Sequence, residues 1–183
     1  MSLFYVRIPL ERVGALIGEE GRQKKEIEKK YGVKIFVDSE TGETTIDATG
    51  VNDPLLSLKL RDYVVAVGRG FSPERAKKIL EEDTYFECID IKEYTGKSKE
   101  ALVRVRARLI GKNGKTRRII EELTGTEVSI YGHTVSIIGQ YENFRIAKEA
   151  IEMLLRGSEH STVYRFLERK REELRIYEMG FTP

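Results

Sequence analysis

Nine lysines and arginines and one acid, Glu100, stand between Lys97 and Arg118. That is a local charge of +8 in a chain whose net charge is +2. Inside this stretch lies Ile110-Gly111-Lys112-Asn113-Gly114, followed by Lys115, Thr116, Arg117 and Arg118, and preceded by Arg106 and Arg108. Two glycines three apart let a backbone turn tightly and approach another molecule closely, because no Cβ stands in the way. Gly114 opens the next helical pattern, whose first amides lack partners and whose dipole favours an anion. A solvated helix face usually mixes signs, and this one does not. The chemistry that fits is a cradle for backbone phosphates.

Other chemistries fit less well. Gly114-Lys115-Thr116 looks like the end of a P-loop, but the first glycine of that motif would fall on Leu109, and a helix precedes the turn where a P-loop needs a strand. The two histidines, His133 and His160, lie in different elements, and no His/Cys/Asp grouping has metal spacing. Glu19-Glu20 and Glu121-Glu122 are adjacent in sequence, so their carboxylates point to different faces rather than converging. No enzyme, metal or cofactor is expected. Cys88, in a strand-like run, reads as a packed small hydrophobe, and a single cysteine fits a reducing, cytoplasmic setting. No apolar run approaches the length of a membrane span, and Met1 to Arg7 does not read as a secretory signal.

The elements that must position the cradle occur twice. A shift of 93 residues carries Gly18-Glu19-Glu20-Gly21 onto Gly111–Gly114, Leu16-Ile17 onto Leu109-Ile110, Lys25 onto Arg118 and Glu28 onto Glu121. Beyond a hairpin loop the offset becomes 89, a length change that two copies of one fold tolerate. Apolar spacing predicts, in each copy, strand, helix, Gly-x-x-Gly, helix, strand, strand, helix. In the second copy these are a strand from Thr84, a polar loop over 92–97, helices over 98–109 and 115–123, a hairpin around Tyr131-Gly132, and a helix over 141–155. The expected domains are 1–82, closing with a linker helix over 72–82, and 83–183, closing with a basic helix over 161–178. The first copy shows no matching basic tail.

This order resembles the type I KH module, which clamps about four single-stranded nucleotides with its Gly-x-x-Gly loop. The resemblance implies an α+β chain of two tandem type I KH modules (β-α-α-β-β-α each) plus a C-terminal helix. The RNA-binding residues it implies are Ile110, Gly111, Lys112, Asn113, Gly114, Lys115, Arg117 and Arg118, with Arg106 and Arg108 beside them. Val103, Ala107 and Ile110 share one helix face as a floor for bases, and Val128 and Ile130 would supply the facing strand. Arg165, Arg169, Lys170, Arg22 and Lys25 are auxiliary contacts. The first loop departs from the pattern. From Phe4 to Lys25 the balance is five basic to three acidic residues, +2 against +8. Two carboxylates beside a phosphate repel it, so the first copy is expected to keep the fold with a weakened clamp.

Two such modules, the run Ala107 to Glu121 and the phrase Val128 to Gly139 together resemble the Dim-Two/Partner-of-Nob-One family of small-subunit ribosome assembly factors in its short archaeal form. The assembly factor named for its Lys-Arg-Arg repeat is a near rival. The family resemblance implies single-stranded RNA near the 3′ end of 16S rRNA or its precursor, and work beside the rRNA 3′-end endonuclease and the rRNA dimethyltransferase, as a monomer. The alternatives are a general KH adaptor in mRNA or translation complexes, and a protein-interaction scaffold.

Overall fold

The computed structural model describes residues 2–181 and divides into two units, Met1–Thr84 and Tyr85–Pro183. In the first unit the order is β1 (Leu3–Arg7), α1 (Leu10–Ile17), α2 (Arg22–Tyr31), β2 (Lys34–Val37), β3 (Glu43–Asp47), α3 (Pro54–Gly68) and a short α4 (Pro73–Ala76). The sheet runs β1-β3-β2, with both outer strands antiparallel to β3. Ile46 stands opposite both Phe4 and Ile35, and Ile35 and Ile46 are fully buried. Asp53 caps α3 through Leu55 N at 2.9 Å with Pro54 in the first turn, and Ser72 caps α4 through Arg75 N at 3.3 Å.

The expected linker helix ends early. α4 stops at Ala76 and tightens into a 3₁₀ turn over Lys77–Leu80. Three residues per turn set Ala76 and Ile79 on one side, and both are buried.

The second unit repeats the plan: β4 (Thr84–Asp90), α5 (Lys92–Thr95), α6 (Lys99–Ile110), α7 (Lys115–Thr124), β5 (Glu127–Tyr131), β6 (Thr134–Gln140), α8 (Tyr141–Leu155) and α9 (His160–Glu178), with sheet order β4-β6-β5. Both sheets are antiparallel and the fold is α+β, two tandem KH modules. The core joins Leu109, Ile120, Val128, Ile137, Ile151 and Leu154 with Val163, Phe166 and Leu167 of α9. Each such side chain contributes roughly 1.5–3 kcal/mol on burial. The C-terminal helix is therefore docked on the module, not free of it.

Three expectations need correction. Lys92–Thr95 is a helical turn, started by Asp90 Oδ1 accepting from Lys92 N at 2.9 Å, where a polar loop was expected. Cys88 is exposed, because Ile89 and Ile91 take the inward positions around it. The expected basic helix begins one residue earlier, at His160. Among the described residues no helix is long and apolar enough to cross a membrane.

Candidate nucleic-acid interface

Ser98 starts α6 by accepting from Ala101 N at 3.2 Å, and Leu102, Val105 and Leu109 turn to the core. The helix ends where Gly111 N donates to Ala107 O at 2.8 Å and the chain swings into a backbone state of φ 75°, ψ 172° at Gly111. Asn113 follows at φ 54° and Gly114 at φ 75°. Asparagine tolerates the left-handed region better than most side chains. α7 then begins at Lys115 with no side chain of Gly114 to cap its first amides.

The side chains around the loop differ in exposure and in partners. Lys112, Asn113, Lys115 and Arg118 are exposed. Arg118 donates to Asn113 O at 2.8 Å, closing the loop from α7. Arg117 pairs with Glu121 at 3.2 Å, and Glu121 also accepts from Val128 N at 2.9 Å, tying α7 to β5. Ile110, Gly111 and Gly114 are half-buried. Val103 is 63% exposed and Ala107 is exposed on the same α6 face. Arg106 shares that face at helical spacing, half-buried, with its Nε sealed from solvent and without a hydrogen-bond partner.

Three expected contacts face the module's interior instead. Arg108 turns to the back of the module, donating to Leu154 O at 2.8 Å and to Ser158 O. It satisfies carbonyls at the end of α8 and in the turn beyond it. Val128 is 1% exposed and pairs across β6 with Ile137 in the core. Ile130, two positions on, packs on that core from the same strand face. Strand periodicity identified the shared face, and the core claims it. In α9, Arg165 and Arg169 are exposed, while Lys170 pairs with Glu173 at 2.7 Å.

Sequence reasoning missed the residues behind the loop. Thr116 is buried, and its Oγ1 lies 2.8 Å from the Tyr164 hydroxyl. His160 Nε2 donates to Arg108 O at 2.8 Å, a carbonyl at the end of α6. No local pattern marks these pairs.

The first loop has the same backbone. Gly18 stands at φ 76°, ψ 173°, Glu20 at φ 52° and Gly21 at φ 76°. Lys25 donates to Glu20 O at 3.2 Å, as Arg118 does to Asn113 O, and Glu28 accepts from Ile35 N at 2.8 Å, as Glu121 does from Val128 N. Lys24 is held by Glu28 at 3.0 Å, and Arg22 is exposed. The geometry is duplicated and the charge is not.

A family model for the second KH domain of PNO1, described as a eukaryotic type KH-domain (KH-domain type I), matches residues 85–172, and the general KH domain model matches residues 4–54. A KH domain-containing protein of Methanocaldococcus jannaschii is 48% identical over 95% of this chain and 76% of its own length. Dim2p of Pyrococcus horikoshii is 52% identical over 92% of this chain and 99% of its own, with a TM-score of 0.84. The chain belongs to the Dim2/PNO1 family of tandem KH-domain proteins. The same P. horikoshii protein has also been solved in an a/eIF2alpha-aDim2p-rRNA complex, 51% identical with a TM-score of 0.85 over 93% of this chain and 94% of that one. A pre-rRNA-processing protein PNO1 of Coccidioides immitis is 36% identical over 58% of this chain and 42% of its own length. The Dim2/PNO1 match to the second module reaches residue 172, inside α9, so most of that helix lies within the matched region.

Proposed function

We propose that this Dim2/PNO1-family chain is a small-subunit ribosome assembly factor that grips single-stranded rRNA near the 3′ end of 16S rRNA or its precursor with the Gly111–Gly114 loop. The observation that carries this reading is the pair of loops with matching dihedral angles, one flanked by Lys112, Lys115 and Arg118, the other carrying Glu19 and Glu20. Equal geometry isolates charge as the difference, and phosphate binding is governed by charge. The rRNA complex of the P. horikoshii relative supports the choice of ligand. The contacts are Ile110, Gly111, Lys112, Asn113, Gly114, Lys115, Arg117 and Arg118, with Arg165 and Arg169 as auxiliary phosphate contacts. The role is binding rather than catalysis, beside the endonuclease and dimethyltransferase acting at that rRNA end, by a monomer in the cytoplasm. Crosslinking in cells tests it: 16S rRNA 3′ sequences should be joined to Gly111–Lys115, and recovery of other RNAs alone would reject it.

Arg106 reads a base in this scheme. Arg106 is half-buried on the floor beside Val103, Ala107 and Ile110, and the solvent-facing end of its guanidinium, rather than the sealed Nε, can meet a base edge with two adjacent acceptors. Arg106→Gln should cost about 1–3 kcal/mol on the preferred RNA and level its advantage over a scrambled one. Uniform weakening of both, measured by fluorescence anisotropy, would make Arg106 a phosphate contact instead.

The first loop should matter less. Arg22→Glu with Lys24→Glu reverses two cations next to a loop already carrying Glu19 and Glu20. The loss in RNA affinity should be several-fold smaller than that from charge reversal at Lys112 and Asn113, because few phosphate contacts exist there to lose. A larger loss in the same titration would invert the division of labour.

A further inference from the structure

The clamp is held from behind by the helix that follows the module. A Cβ placed on Gly111 would come within 2.3 Å of Thr116 Oγ1, so Thr116 sits directly against the back of the loop. That same oxygen is 2.8 Å from the Tyr164 hydroxyl in α9. Four residues earlier in α9, His160 reaches Arg108 O, one residue beyond the carbonyl that receives Gly111 N. Arg108 in turn binds the carbonyls of Leu154 and Ser158, just ahead of α9. Val163, Phe166 and Leu167 anchor the helix in the core. Both flanks of Gly111–Gly114 are thus tied to one rigid element.

The first module carries a version of this arrangement. Arg12 of α1 donates to Val67 O at 2.9 Å and Phe71 O at 2.8 Å, at the end of α3 and the turn after it, as Arg108 does at the end of α8. Gln23, which stands where Thr116 does in the repeat, donates to Glu74 of α4 at 3.2 Å and lies against Gly18. The segment expected to be a mere linker occupies the role of α9. There, however, the tie is an exposed amide–carboxylate bond, whereas Thr116 is 2% exposed. A hydrogen bond that is part-buried resists competition by water better than an exposed one.

We infer that Tyr164 is a positioning residue for RNA binding: through Thr116 it holds the Gly111–Gly114 loop in its clamping conformation before RNA arrives. This rests on the proposed RNA-binding role of that loop. Tyr164 contacts no phosphate in this scheme. It lowers the ordering cost of a short loop with three residues at positive φ, a cost otherwise met at the moment of binding.

The test uses the full chain with Tyr164→Phe, Thr116→Val and the double variant, and Lys112→Asp as a control. The probe is a short single-stranded RNA copying the 3′ end of 16S rRNA. Tyr164→Phe should weaken binding roughly threefold to tenfold, the worth of one hydrogen bond. In the Thr116→Val background it should add nothing further. The salt slope should stay at the wild-type value, since no cation is removed. Without RNA, amide exchange at residues 111–115 should quicken in Tyr164→Phe while exchange in β5 and β6 stays the same. Unchanged loop exchange overturns the proposal, and so does quickened exchange with unchanged affinity. If Lys112→Asp also leaves affinity unchanged, the RNA-binding reading of the loop fails, and the exchange result alone decides whether Tyr164 fixes the loop.

Discussion

Lys112→Asp combined with Asn113→Asp should reduce affinity for single-stranded RNA at least about tenfold, equivalent to about 1.4 kcal/mol. The change removes one cation and adds two anions on side chains that are both exposed at the loop tip. Like charges ~4 Å apart cost about 1 kcal/mol in water and about 4 kcal/mol near a protein surface. Repulsion from two new carboxylates therefore exceeds the tenfold threshold even at the weaker limit. The fold should be unaffected. An aspartate in place of Asn113 would take over its φ of 54°, and aspartate visits that region nearly as readily as asparagine. The melting temperature should stay within a degree or two, as for surface changes generally. The salt slope should also fall by about one for the lost lysine. An unchanged dissociation constant at moderate salt would show that this loop does not touch RNA.

Gly111→Ala should destabilise the protein far more than Gly114→Ala, although the two glycines look equivalent in the motif. Gly111 combines φ 75° with ψ 172°, a region that is essentially restricted to glycine, and its missing Cβ is where Thr116 Oγ1 and N already stand, at 2.3 and 2.6 Å. Strain of roughly 1–3 kcal/mol adds to overpacking of similar size. Gly114 lies at φ 75°, ψ 15°, an ordinary left-handed position, with the nearest foreign atom, Arg117 Nη2, 4.0 Å from the added methyl. Only backbone strain of about 1 kcal/mol is expected there. For a unit of this size each kcal/mol moves the melting temperature by about 4–8 °C. By that conversion Gly111→Ala should lose about 8–16 °C even at the lower limit of about 2 kcal/mol in total, and Gly114→Ala about 4–8 °C, in thermal unfolding followed by circular dichroism. Equal small shifts would mean that Thr116 yields and that the contact behind Gly111 is soft.

Much of this was legible in the residues. The 93-residue offset between Gly18 and Gly111 is a repeat signal, the apolar spacing and the hairpin turn at Gly132 are local ones, and such signals decide element type and order. The placement of charge at Lys112, Lys115 and Arg118 was equally plain, since those side chains stay at the surface beside the loop. What failed were assignments that depend on a distant neighbour. Periodicity puts Val128 and Ile130 on one strand face but does not say whether core or groove lies opposite. Arg108 reads as one more cation of a basic helix until Leu154 and Ser158 offer carbonyls. Thr116 and Tyr164 are 48 residues apart, and no spacing rule joins a threonine in a phosphate-loop look-alike to a tyrosine in a basic tail. The 3₁₀ tightening after Ala76 follows from the side-by-side burial of Ala76 and Ile79, and composition favours an ordinary helix there.

The docking of Val163, Phe166 and Leu167 sets a rule for anyone trimming this protein. Scissors applied at Gly157, just after α8, would uncover the apolar flank of Ile151, Leu154 and Leu155. The same cut would remove Ser158 and Tyr164, partners of Arg108 and Thr116. A fragment of the second half that keeps this flank covered has to run on through Leu167, and through Leu174 to keep the last packed side chain.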